Sequence, residues 1–228
     1  MSESAAQRPS GRGRFVTFEG GEGTGKSTQI KKLADRLTAA KLRIRVTREP
    51  GGSPGAEIMR HLVLSGMGKL LGPEAETLLF AAARDDHVRT VILPALSQGV
   101  WVLCDRFADS TRAYQGSLGL VPDGLINAMQ RVTIGDLKPD LTIILDLPVE
   151  IGLQRAAARR GSGAPDRFEA EKLSFHQGLR EAYRRIAAED PARCVLIDAN
   201  SDPDTVAARV WTAVRERLLP TPASVVSA

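Results

Sequence analysis

Phe18-Glu19-Gly20-Gly21-Glu22-Gly23-Thr24-Gly25-Lys26-Ser27-Thr28 is the stretch whose reading decides the fold. The apolar, β-prone segment Arg14-Phe15-Val16-Thr17-Phe18 leads into it, and Gln29 to Leu37 follows with helical spacing. The run is therefore Gly-x4-Gly-Lys-Ser placed between a strand and a helix, the setting in which that pattern has a mechanism. Glycines at 20, 21, 23 and 25 let successive backbone N–H groups turn inward above a helix N-terminus, which makes a concavity for anions. Residues 20–28 are the expected ATP-binding segment: Gly20, Gly21, Glu22, Gly23, Thr24, Gly25, Lys26, Ser27 and Thr28. Lys26 is placed to reach the β- and γ-phosphates, and the Ser27 hydroxyl to ligate Mg²⁺.

Outward from this loop, periodicity alternates between strands and helices. Arg43–Arg48 alternates and is closed by Pro50-Gly51-Gly52; residues 73–98 carry helical spacing; Val100–Asp105, Leu141–Asp146 and Cys194–Asp198 are continuous apolar runs expected to be strands covered on both faces. A last helix is expected from Asp202 or Pro203 to about Leu218. The fold class is α/β, a five-stranded parallel sheet with helices on both faces. Ligands in such sheets bind beyond the carboxyl ends of the strands. Four strands end there in Arg48, Asp105, Asp146 and Asp198, so functional residues are expected to converge at that edge.

The 228 residues suit one domain, expected over 14–219, with a disordered tail at 1–13 and a flexible one at 220–228. Charged residues make up 25% and the net charge is +4, with acids and bases interleaved and no basic block, which argues against nucleic acid. No apolar stretch approaches the roughly 20 residues that span a bilayer. The N-terminus lacks a secretory apolar region, and a cytoplasmic setting is the default. Cys104 and Cys194 lie in apolar runs and are expected as small core residues. His61, His87 and His176 sit in helical, polar surroundings without a catalytic setting. Arg155 to Arg167, an arginine-loaded helix running into Gly, Ser and Pro, reads either as a mobile lid over about 155–168 or as a solvated helix end.

A kinase needs a second cationic site for its acceptor. Arg48, beside the Pro-Gly-Gly turn, and Arg106, following Asp105 in a Walker-B-like position, are the candidates at the ligand edge.

Phe-Glu-Gly-x-Glu-Gly-x-Gly-Lys-Ser-Thr, Thr-Arg-Glu-Pro-Gly-Gly, Phe-Ala-Ala-Ala-Arg, Asp-Arg-Phe-x-x-Ser-Thr-x-Ala-Tyr-Gln-Gly and Leu-Lys-Pro-Asp-Leu-Thr, in that order from about Arg14 to Leu218, together resemble the bacterial thymidylate kinases. The resemblance implies ATP-dependent, Mg²⁺-assisted phosphorylation of dTMP to dTDP by a homodimer. It implies that Arg48 and Arg106 hold the acceptor phosphate, that Phe80 stacks on thymine and that Arg84 bonds its carbonyl edge. Thr111 and Gln115 fall in the thymine-facing stretch, Tyr114 matches the tyrosine that disfavours ribonucleotides, and Glu22 the carboxylate that meets the sugar 3′-hydroxyl. Asp105 and Glu49 are implied to organise Mg²⁺ and the phosphate-binding arginines. Phe80 and Arg84, four apart, share a helix face, as an aromatic platform with a bidentate reader requires. Thymine differs from uracil by one methyl group, so some dUMP turnover is expected. Some members carry an arginine at the position of Gly23; members with glycine supply that cation from the lid, and Arg159 is the best match here, ahead of Arg155, Arg160 and Arg167. Phe107 departs from the tyrosine or histidine common after Asp-Arg. Ala199-Asn200 is the expected neighbourhood of the adenine. The alternatives are a related kinase for another nucleotide and a P-loop regulatory ATPase.

Overall fold

The computed structural model describes residues 11–116, 121–163 and 168–219. Five strands, β1 (Phe15–Glu19), β2 (Ile44–Arg48), β3 (Trp101–Asp105), β4 (Leu141–Asp146) and β5 (Cys194–Asp198), form one sheet in the order β2-β3-β1-β4-β5. Every pairing is parallel. The helices are α1 (Lys26–Ala39), α2 (Pro54–Leu64), α3 (Pro73–His87), α4 (Leu93–Ser97), α5 (Ala108–Thr111), α6 (Asp123–Ile134), α7 (Val149–Arg160), α8 (Leu173–Glu189) and α9 (Pro203–Leu218). Among the described residues, no helix is long and apolar enough to cross a membrane.

The central strands β1, β3 and β4 are buried along nearly their whole length because both faces are covered. Val16 and Phe18 point to a layer built with α1 and α9, whereas Phe15, Val102 and Cys104 point to Val88, Ile92 and Leu96 on the other face. Thr17 and Thr142 share a hydrogen bond of 2.8 Å inside the sheet, which satisfies two buried hydroxyls. Both cysteines are buried. β5 differs from expectation: it is an edge strand only partly covered by α8 and α9, and Leu196 is 43% exposed.

The helical region over 73–98 is one helix in three pieces, α3 and α4 joined by a π-helical turn at Val88–Ile92. Pro94 explains the widening, since it brings no N–H and its ring would collide with a carbonyl one α-turn back. Near the start of the described residues, the Gly13 amide donates to the Leu96 carbonyl at 2.8 Å. Residues 1–10 and the tail from 220 lie outside the described residues.

Register then sets the site. Phe18 pairs with Asp105, and Arg48 also pairs with Asp105, so the glycine loop, the Asp105-Arg106 corner and the Arg48 turn meet at one end of the sheet.

Candidate active site

Between β1 and α1 the chain turns through glycines with positive φ at Gly20, Gly23 and Gly25. Gly23 is fixed by more than its φ of 66°: a Cβ there would lie 1.9 Å from the carbonyl oxygen of Gly152, in the first turn of α7. Loop and helix thus touch backbone to backbone, and only glycine fits. Lys26 opens α1, is buried, and donates from Nζ to the carbonyls of Gly20 at 3.1 Å and Gly21 at 2.9 Å. Burial and the neighbouring Arg106 lower its pKa, while Asp105 and Glu22 oppose them. Thr24 Oγ1 donates to the Gly21 carbonyl across the same turn. Ser27 Oγ donates to Asp105 Oδ2 at 2.9 Å.

A cleft of about 420 Å³ opens from this loop. Its wall brings together the loop from Glu22 to Thr28 with Arg48, Glu49, Asp105 and Arg106, and at the far end Phe80, Arg84, Thr111, Tyr114 and Gln115. Arg159 lies on its rim and also lines a second groove, which runs from the loop to Ala199 and Asn200. Gly20 and Gly21 form the back of the loop, beside a cavity of about 20 Å³.

Arg106 is the hub. Its φ of 69° is left-handed, unusual for a long side chain and a conformation that its surroundings must hold. Nη2 donates to Glu22 Oε1 at 2.7 Å, and Nη1 to the Gly20 carbonyl and the Tyr183 hydroxyl, each at 3.1 Å. Its guanidinium lies 5.0 Å from the centre of the Tyr114 ring. Glu22 also accepts from the Tyr114 hydroxyl at 3.0 Å. Burial alone would raise the Glu22 pKa; the charges of Arg106 and Lys26, with the Tyr114 hydrogen bond, outweigh it and hold the pKa at about 2.

At the far end, Phe80 and Arg84 stand one turn apart on α3. Arg84 Nε donates to Glu49 Oε2 at 2.7 Å, and Nη2 to the Phe107 carbonyl and Thr111 Oγ1, each at 3.1 Å. Glu49 Oε1 lies 3.0 Å from His87 Nδ1, so both carboxylate oxygens are engaged inside the protein. Glu49 therefore positions Arg84 while it also lines the cleft. His87 and His176 are buried, and His87 keeps polar partners there. His87 links Glu49 to Thr47 Oγ1, 2.7 Å from Nε2. Phe107 fills the space under Arg84 and packs edge-on against Phe15.

The cationic residues at the rim are less constrained. Arg48 pairs with Glu57 at 2.8 Å, and Arg159 with Glu169 at 3.3 Å, both with more than half of the arginine side chain exposed. Arg160 also pairs with Glu169, and Arg155 donates to the Ala199 carbonyl; Arg167 lies outside the described residues. The four polar strand ends do not converge. Asp146 is clamped by Arg180 and Arg184 of α8, and Asp198 accepts from Arg209 and the Asn200 amide; neither lines the cleft.

Sequence reasoning missed several members of the wall. Phe168 lies 5.1 Å, ring centre to ring centre, from Tyr114 and 6.3 Å from Phe80, which closes the aromatic end. Arg60 and Ser110 also line the cleft. Glu19 stands behind the wall, one residue beyond the apolar segment that ends at Phe18. There β1 ends in a polar side chain like the other four strands.

The family model described as Thymidylate kinase matches residues 18–210. The chain is 88% identical to a thymidylate kinase of Bradyrhizobium diazoefficiens over the full length of both. It is 75% identical to one from Nitrobacter winogradskyi, covering 96% of this chain and 95% of the relative. It is 70% identical to one from Rhodopseudomonas palustris, covering 96% of each.

Proposed function

The chain belongs to the thymidylate kinase family, and from that premise we propose that it transfers the γ-phosphoryl group of ATP to dTMP, giving dTDP. One observation carries the reading beyond the family name: a single cleft joins a phosphate-binding loop to an aromatic and arginine-lined end, with Arg106 between them. That spacing of functions is what a donor triphosphate and an acceptor nucleotide require of one cavity.

Phosphoryl transfer leaves little covalent work to the protein, so positioning and charge neutralisation dominate. Lys26 and the loop amides hold the donor phosphates. Arg106, assisted by Arg48, holds the acceptor phosphate, which is already nucleophilic at neutral pH and needs no base. Arg159 neutralises charge on the transferring group and is mobile enough at the rim to leave its partner Glu169 for the triphosphate. Phe80 stacks on thymine, Arg84 reads its carbonyl edge from a guanidinium fixed by Glu49, and Thr111 and Gln115 border the base. Tyr114 crowds the sugar 2′ position, and Glu22 meets the 3′-hydroxyl. Ser27 and Asp105 are hard oxygen donors 2.9 Å apart at the loop mouth, a pair that fits Mg²⁺. When bound, the ion supplies charge neutralisation on phosphate oxygens. Ala199 and Asn200 border the groove assigned to the adenine.

Two copies pair through α2, α3 and α6. Supporting this are Ile58, Leu70, Leu71, Leu78 and Val132, each more than half exposed on those helices or the turn at Met67–Leu71.

The test is ADP formation from Mg-ATP with dTMP, dUMP, dCMP, dAMP and dGMP offered separately, beside a control without acceptor. Strong turnover with dTMP and weaker turnover with dUMP is the expected result. Equal turnover with and without acceptor overturns the reading in favour of a regulatory ATPase.

A further inference from the structure

Behind the cleft wall lies a hydrogen-bonded cluster that none of these roles uses. Glu19, wholly buried at the end of β1, accepts at Oε1 from the Phe107 amide at 2.8 Å. Its Oε2 accepts from Ser110 Oγ at 2.6 Å and from the Tyr183 hydroxyl at 3.1 Å. Those two hydroxyls are 2.9 Å apart, and each also faces Arg106 Nη1, at 3.4 Å for Ser110 and 3.1 Å for Tyr183.

We propose that Glu19 is a positioning residue that acts through Ser110 and Tyr183 to fix the Arg106 guanidinium, and so sets the affinity of the site for the acceptor monophosphate. The proposal rests on the reading that Arg106 holds that phosphate. A hydroxyl can turn its hydrogen or its lone pairs toward a neighbour. By accepting from both hydroxyls, Glu19 points their hydrogens away from Arg106 and their lone pairs toward it, so they accept from Nη1. Glu22 holds Nη2 on the other side, and a planar guanidinium pinned at both ends has one orientation left. The bond to the Phe107 amide secures the backbone immediately after the left-handed Arg106. An arginine fixed before binding loses less freedom when the dianion arrives.

Glu19→Gln is the informative variant. It keeps shape and volume, but satisfying the Phe107 amide with its oxygen turns an NH₂ donor toward the two hydroxyls and reverses their orientation. At pH 8 we expect KM for dTMP to rise about tenfold, in line with one charge-assisted hydrogen bond, with kcat and KM for ATP within about twofold of the wild type. Tyr183→Phe, which removes one of the two acceptors and keeps the packing, is expected to raise KM for dTMP several-fold. A role in folding alone lowers the active fraction, hence kcat, and leaves KM where it was; that result in both variants overturns the proposal. Arg106→Ala separates the two readings. If it raises KM for dTMP and Glu19→Gln adds nothing in that background, the proposal stands. If Arg106→Ala raises KM and Glu19→Gln alone does not, the proposal fails while the phosphate role survives. If Arg106→Ala leaves KM unchanged, the phosphate role itself is wrong.

Discussion

Replacing Glu19 by glutamine has a second consequence, in stability rather than catalysis, that can be worked out from its surroundings. Burial, reinforced by Asp109, pushes the Glu19 pKa from 4.5 up to about 7, against the hydrogen bond from Ser110 and the charge of Arg106. The folded protein therefore keeps a proton on this carboxyl over a pH range in which the unfolded chain has lost it. In that range the native state binds more protons than the unfolded state, so stability falls as pH rises from about 4.5 to about 7. At about 1.4 kcal/mol per pKa unit, the loss attributable to this one group comes to somewhat more than 3 kcal/mol by pH 8. The glutamine variant carries no titrating group there. Its altered hydrogen bonding shifts stability by an amount that does not depend on pH and drops out of the comparison. Urea unfolding of both proteins at pH 5, 6, 7 and 8 reads the difference directly. The variant should gain on the wild type by about 2–3 kcal/mol across the series, with most of the gain below pH 7. Parallel curves would mean that Glu19 is ionised in the native state throughout, and that the buried hydroxyls and Arg106 compensate its burial in full.

Arg159→Ala should lower kcat by about 10³-fold or more, the scale of a cation acting on the transferring phosphoryl, while KM for dTMP moves little; an unchanged kcat in steady-state assays removes Arg159 from that role. Gly23→Ala places a Cβ 1.9 Å from the Gly152 carbonyl at a φ of 66°, so melting temperature should fall and KM for ATP rise in the same protein; a variant with wild-type values in both assays would show that α7 yields freely. Ile58→Glu or Leu78→Glu puts a charge on the proposed pairing face and should convert a dimer to a monomer in sedimentation velocity, with the circular dichroism spectrum unchanged; two wild-type-like sedimentation profiles would place the dimer contact elsewhere.

Much of this arrangement was legible in the sequence, and the physical reasons divide the legible from the rest. Strands β1, β3 and β4 announced themselves because a parallel sheet covered on both faces demands continuous apolar runs. The loop did so because glycine, lysine and serine are each required by a distinct piece of phosphate chemistry. What stayed hidden depended on the partner a residue finds across the fold. The run at Cys194–Asp198 looked as apolar as its neighbours, yet it lies at an edge, a fact of topology. Glu49 reads from the sequence only as a carboxylate beside the Pro-Gly-Gly turn, and its two partners, Arg84 and His87, come from α3 far along the chain. The burial of His87 and His176 was hidden because the face a helix buries is chosen by what packs on it. Glu19 stands at the junction of strand and loop, and its role becomes visible only when Tyr183, 164 positions later, arrives beside it.

The backbone contact between Gly23 and Gly152 bears on how such an enzyme can change over time. With Arg159 proposed as the catalytic cation, this chain cannot move that charge to an arginine at position 23 by a single substitution. The first turn of α7 would have to retreat before the new side chain could enter, and a loosened loop without its arginine has nothing to recommend it to selection. On the proposed reading, the contact between two glycines makes the arginine of α7 a commitment that descendants of this chain inherit rather than an option.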